Sequence, residues 1–208
     1  MSSLPNLPNV PQGHLDKLYR ALGEGMVRSQ YIESALYLAA LGSMNGRHDE
    51  CSAAFFKRTG IGGRLKFTDE SIRAVLSPEI YQRDWKPVLS DAETFVKFRN
   101  SLAHFEVYHL SDSDRAQGDN PTAFNVIISV SHMNAEARKK TTAPALTIEM
   151  IEHNNGQGPE MYHLLMYFAI DHFPPEIFIG KGLLPLAESQ LASYRRNPRP
   201  AQFQRPKG

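Results

Sequence analysis

The sequence predicts a mainly α protein, a helical bundle carrying a small antiparallel β-hairpin insertion. Apolar residues recur at helical spacing from Leu15 to Met44 and again through Phe95, Phe98, Leu102 and Phe105. The second run, Ser90 to Leu110, contains neither Pro nor Gly. Only the stretch at about 122–152 changes to the β-branched and alternating texture of strands.

Residues 1–13 hold three prolines with Asn and Ser, and read as an extended, flexible lead-in. A long helix follows, carried by Leu15, Leu18, Leu22, Met26, Ile32, Ala35, Leu36 and Ala39, with a kink or break expected near Gly23 and Gly25. It ends in the Gly42 to Gly46 stretch. Asp49 to Thr59 forms a second helix, and Gly60-Ile61-Gly62-Gly63 reads as a connector. Those glycines do not make a phosphate loop, because no Gly-Lys-Ser/Thr follows them. Thr68 or Asp69 can cap a helix through Val75, and Ser77-Pro78-Glu79 marks another start with proline in the first turn. Trp85-Lys86-Pro87 then interrupts the pattern, and Ser90 with Glu93 forms a capping box for the helix 90–110.

Beyond Leu110 comes a polar loop up to Pro121, then a strand within Phe124 to Val130. The alternation in Leu146 to Glu152 predicts its antiparallel partner, joined to it across a polar connection containing Arg138-Lys139-Lys140. Asn154-Asn155-Gly156-Gln157-Gly158 reads as a turn into a helix from Pro159 to His172, ended by Phe173-Pro174-Pro175. A short helix is expected around Leu183 to Tyr194, and residues 14–193 together form the helical domain. The tail 194–208 is Pro-rich and basic, with Arg195, Arg196, Arg199, Arg205 and Lys207; it is either a solvated, disordered tail or a local RNA contact.

A chain of 208 residues, 41% hydrophobic and 22% charged, can bury a substantial core. It lacks any apolar run of the ~18 residues that a membrane span needs, and its start lacks the basic and apolar regions of a signal peptide, so no membrane partner and a cytoplasmic location are expected. The single cysteine, Cys51, excludes an internal disulfide and a cysteine-rich zinc site. His109, His132, His153, His163 and His172 lack a ligand-like spacing with a carboxylate, so no metal and no cofactor are expected. A net charge of +1 and a pI near 7.9 are not those of a general nucleic-acid binder, so any RNA contact must be local.

The chemistry concentrates in Arg99-Asn100-Ser101-Leu102-Ala103-His104, a fixed cation, an amide and a titratable imidazole within little more than one helical turn. With Leu102 on the core face, Asn100 and His104 lie four residues apart on nearly the opposite one, shared with Val96, Ala103 and Val107. Such a mixture of small apolar and hydrogen-bonding residues suits burial against another helix, of this chain or of a second subunit, and in the second case Val96, Ala103 and Val107 form a dimer interface. Arg99 stands about 140° around the helix from His104, so only its long stem lets the guanidinium curl towards the imidazole.

The run Phe95-Val96-Lys97-Phe98-Arg99-Asn100-Ser101-Leu102-Ala103-His104 resembles the Arg-Asn-x-x-x-His signature of the HEPN family, the higher eukaryotes and prokaryotes nucleotide-binding domain. The likeness is strongest across this helix, weaker over residues 14–110, and absent beyond residue 110. It implies a HEPN-like helical bundle, a homodimer with the two motif helices facing each other, and metal-independent endoribonuclease activity of a toxin or phage-defence effector with an antitoxin partner. Other members have lost catalysis, which leaves a non-catalytic RNA-, nucleotide- or protein-binding module as the alternative. Carried onto this sequence, the resemblance implies Arg99, Asn100 and His104 as the catalytic set. Histidine exchanges protons near neutrality and arginine grips phosphate oxygens, so His104 suits proton transfer, as acid or base, and Arg99 suits charge stabilisation. Glu33, on the first helix, is either an orienting carboxylate or a surface glutamate; Tyr108 either reaches substrate or packs.

Overall fold

A computed structural model of the chain describes residues 12–103, 105–109, 126–130, 147–178 and 192–193, and these are mainly helical. In chain order the elements are α1 (Gln12–Ser43), α2 (His48–Phe56), α3 (Gly60–Arg73), α4 (Pro78–Ile80), a π-helical turn (Tyr81–Trp85), α5 (Lys86–Ala103), strands β1 (Phe105–His109) and β2 (Val126–Val130), α6 (Ile148–His172) and a 3₁₀ turn (Pro175–Phe178). They group into two compact units, one of Met1–Ser29 with Lys97–Gly158, the other of Gln30–Val96 with Pro159–Gly208.

The first unit buries Leu18, Ala21 and Leu22 of α1 with Leu102 of α5 and Ile148 and Ile151 of α6, and half-buried Phe98 packs against them. Asn155 is 2% exposed and donates from Nδ2 to the Ala21 carbonyl at 2.7 Å, while its buried Oδ1 has no hydrogen-bond partner among the described residues. Gly25 makes that approach available: a Cβ there would stand 2.9 Å from both Asn155 Oδ1 and Leu102 Cδ1. The helix therefore runs unbroken through Gly23 and Gly25, where a kink or break was expected.

β1 and β2 pair antiparallel, with Phe105 opposite Val130 and His109 opposite Val126. This corrects two expectations. The motif helix ends at Ala103 rather than Leu110, because Phe105-Glu106-Val107-Tyr108-His109, rich in aromatic and β-branched residues, enters the ladder instead. The partner of 126–130 is 105–109 and not 146–152, so the hairpin does not occupy 122–152. From Ile148 the chain is helical, and Ile148, Ile151, Asn155 and Gly158 form a buried stripe at helical spacing that outweighs the short alternation and the Asn/Gly turn signal.

The second unit is organised around the C-terminal half of α1, where every residue from Ala35 to Leu41 is at most 4% exposed. A helix apolar on all sides is the centre of a bundle, and Cys51 and Phe55 of α2, Ile61 and Leu65 of α3, Trp85, and Leu165 and Met166 of α6 share this core. Burial of Ile61 and Leu65 also explains why α3 starts at Gly60, where a connector was expected. Asn45 and Gly46, at φ 54 and 74, end α1, and Gly46 N–H returns 3.0 Å to the Leu41 carbonyl. Ser77 caps α4, accepting from the Ile80 N–H at 3.3 Å. The π turn then leads into α5, so Ser90 lies inside that helix instead of capping it. No helix among the described residues is long and apolar enough to cross a membrane.

The lead-in 1–11, the polar loop 110–121, the basic loop 138–140, the expected helix from 183 except Ala192 and Ser193, and the basic tail 194–208 lie outside the described residues.

Candidate functional site

The C-terminal part of α5, in the first unit, carries the Arg-Asn pair. Leu102, 2% exposed, and half-buried Phe98 anchor this segment and leave Asn100 exposed on another face. Arg99 is half-buried, as a border position requires, and its Nη1 donates to Asn100 Oδ1 at 3.4 Å. Its Nε is buried and has no hydrogen-bond partner among the described residues. The guanidinium thus curls across the helix surface towards the amide, a posture that places a permanent cation and a neutral hydrogen-bonding group side by side. Such a pair can grip two oxygens of one phosphate.

His104 lies outside the described residues, between the end of α5 and the start of β1. The side chains of Ala103, Val107 and Tyr108 also lie outside them; Val107 and Tyr108 belong to β1, opposite Ile128 and Ile127, and not to the motif helix. Val96 is 6% exposed in the core of the second unit, so its own chain already covers the side chain that was expected at a dimer interface.

Glu33 belongs to the second unit, where it forms an ion pair with Arg64 of α3. Its carboxylate is 22% exposed and has a cationic partner on another helix. The sequence carries no local signal for the pair, because the residues stand on different helices and only the packing of α1 against α3 joins them.

Two further polar clusters of this unit escaped the sequence. Asp69 Oδ1 accepts from Tyr81 Oη at 2.7 Å and Trp85 Nε1 at 2.9 Å, with Arg73 Nη2 donating to Tyr81 Oη at 2.8 Å. Burial and the bond to Asp69 raise the Tyr81 phenol above its ordinary value. Asp84, whose side chain is 3% exposed, lies 3.2 Å from His172 Nε2 and accepts both Nε and Nη2 of Arg83 at 2.9 Å. Cys51 is fully buried and burial pushes its thiol up to about 12, which keeps it protonated and unreactive. Among the described residues no group of three or more His, Cys, Asp or Glu could hold a metal ion.

No protein family, curated protein or solved structure matches the chain.

Proposed function

We propose that the chain is a metal-independent endoribonuclease of the HEPN type, working as a homodimer in the cytoplasm as a toxin or phage-defence effector held in check by an antitoxin. The observation that carries the reading is Arg99 laid against Asn100 on a helix anchored by Leu102, in the sequence frame Arg99-Asn100-x-x-x-His104. In this reading the β1–β2 pair is the hairpin inserted into the bundle.

Cleavage requires the RNA 2′-oxygen to bond to phosphorus while the bond to the 5′-oxygen breaks, giving a 2′,3′-cyclic phosphate and a 5′-hydroxyl. One proton leaves the 2′-hydroxyl and one reaches the departing 5′-oxygen. A single His104 serves one transfer at a time, and the second copy in a two-fold dimer supplies the other. Arg99 neutralises charge on the phosphorane, and Asn100 holds either the guanidinium or a phosphate oxygen in place.

The test is cleavage of end-labelled single-stranded RNA by the purified chain in excess chelator. Wild type yields cyclic phosphate ends, and Arg99→Ala and His104→Ala each lower the rate by about 10² or more while circular dichroism stays unchanged. Equal cleavage by all three proteins sinks the proposal. RNA binding that needs Arg99 but never cuts identifies the non-catalytic module instead.

A further inference from the structure

The second unit contains a cleft of about 250 Å³ between α1, α2 and α3, lined by Gln30, Glu33, Ser34, Tyr37, Phe55, Phe56 and Arg64. The ribonuclease reading does not use this cleft, and ligand binding here is independent of that reading. Glu33, Ser34 and Tyr37 share one face of α1, and Phe55 and Phe56 end α2. The Tyr37 ring stacks on Phe56 at a centroid distance of 5.6 Å and an angle of 28°, and meets Phe55 edge-on at 5.3 Å. Phe56 remains 46% exposed, so part of a flat apolar wall faces water.

The charged part of the lining is the Glu33–Arg64 ion pair, with the neutral polar side chains of Gln30 and Ser34 beside it on α1. Its guanidinium stands 5.7 and 5.3 Å from the centroids of Phe55 and Phe56, which holds the pair against the aromatic wall. Arg64 Nε is buried without a hydrogen-bond partner among the described residues, behind the cleft surface, so Arg64 faces the cleft with its other nitrogens only. Together the two side chains carry no net charge, so the cleft favours neither an anion nor a cation. They set a carboxylate acceptor beside a guanidinium donor, and the edge complementary to that is an N–H next to a C=O. Aromatic walls select a flat ring. Drug-sized ligands fill clefts of about 300–1,000 Å³, so this smaller space takes one or two fused rings.

We propose that the cleft binds a neutral, planar lactam heterocycle, its ring against Phe56, its N–H on the Glu33 carboxylate and its carbonyl on Arg64. The same edge is offered by a free heterocycle and by a base of single-stranded RNA. Calorimetry on the full chain tests this with 1-methyluracil, 1,3-dimethyluracil, which lacks the N–H, and a short oligouridylate. The expected result is that 1-methyluracil binds and that the dimethyl compound binds about tenfold more weakly or worse. Glu33→Gln and Phe56→Ala weaken 1-methyluracil by a similar factor, with the fold checked by circular dichroism. Oligouridylate binding that is at least tenfold tighter and lost in Phe56→Ala identifies the occupant as a base in a strand; equal affinity identifies the free ring. Equal binding of the two methylated uracils overturns the proposal on the wild-type protein alone. So does the absence of binding by any of the three probes, or binding that Phe56→Ala leaves unchanged.

Discussion

Gly23 and Gly42 stand on the same helix, yet a methyl group added to each meets different surroundings. At exposed Gly23 nothing lies within 4 Å of an added Cβ, so Gly23→Ala relieves only backbone entropy and should stabilise the protein by about 0.5–1 kcal/mol. At Gly42 the Cβ would run into the Phe173 ring and stand 3.0 Å from Phe173 Cβ, an atom that cannot rotate away. Phe173 is itself 7% exposed in the core, so Gly42→Ala should destabilise by about 1–3 kcal/mol through overpacking. Urea midpoints of the two variants should therefore move in opposite directions; a raised midpoint for Gly42→Ala would contradict the close contact. Sequence gives no means to separate these positions, because helix propensity scores every glycine alike and the deciding atom is more than a hundred residues away. The same limit applied to Glu33, whose partner Arg64 stands on another helix, and not to Arg99 and Asn100, whose contact is made between neighbours in the chain.

The turn Tyr81–Trp85 shows the limit for a whole element. Ser77-Pro78 announced a helix start and the structure has it there, yet Trp85-Lys86-Pro87 does not interrupt the helix; the chain widens into a π turn in which Lys86 N–H bonds to the Tyr81 carbonyl. One extra residue in the turn sets Tyr81 and Trp85 so that both donate to a single oxygen of Asp69, and aims Asp84 at His172. No local pattern encodes that, since it depends on where Asp69 of α3 stands. Legible elements were those with a long, consistent apolar stripe; the alternation at 146–152 was too short to outweigh the helical stripe continuing through Asn155. Deleting Gln82, an exposed residue of the turn, would restore α-helical spacing and draw Tyr81 and Trp85 out of register with Asp69. The deletion should cost more than about 2 kcal/mol by leaving buried donors unpaired, whereas Gln82→Ala should stay within about 0.5 kcal/mol. Chemical denaturation followed by Trp85 fluorescence distinguishes them, and equal stabilities would mean that the extra residue positions nothing.

At the scale of the whole molecule, the buried proton donors of the second unit make stability depend on alkaline pH. Burial raises the Cys51 thiol from 9.0 to about 12, and burial, then the neighbouring Cys51, raises the Tyr37 phenol from 10.0 to about 12, with the Ser52 hydroxyl pulling the other way. In the unfolded chain both titrate at their ordinary values. Above pH 9 the unfolded state therefore loses the Cys51 proton while the folded state keeps it, and from pH 10 the same holds for Tyr37 and, in the same direction, for Tyr81. The unfolded state then binds fewer protons, so stability falls as pH rises, by up to about 1.4 kcal/mol per pH unit for each group, until the folded groups titrate near pH 12. Below pH 9 the contribution is fully present. Cys51→Ala should be less stable at neutral pH because a packed side chain is lost, but its stability should stay flat between pH 9 and 10, where wild type already declines. Urea unfolding at pH 7, 9, 10 and 11 reads these slopes, and the difference in absorbance near 240 nm between wild type and Cys51→Ala reads the thiolate, because the eight tyrosines, which also absorb there once ionised, are common to both. Parallel pH profiles for wild type and Cys51→Ala, or a native thiolate forming at pH 9, would show that the thiol is not held in the core as described.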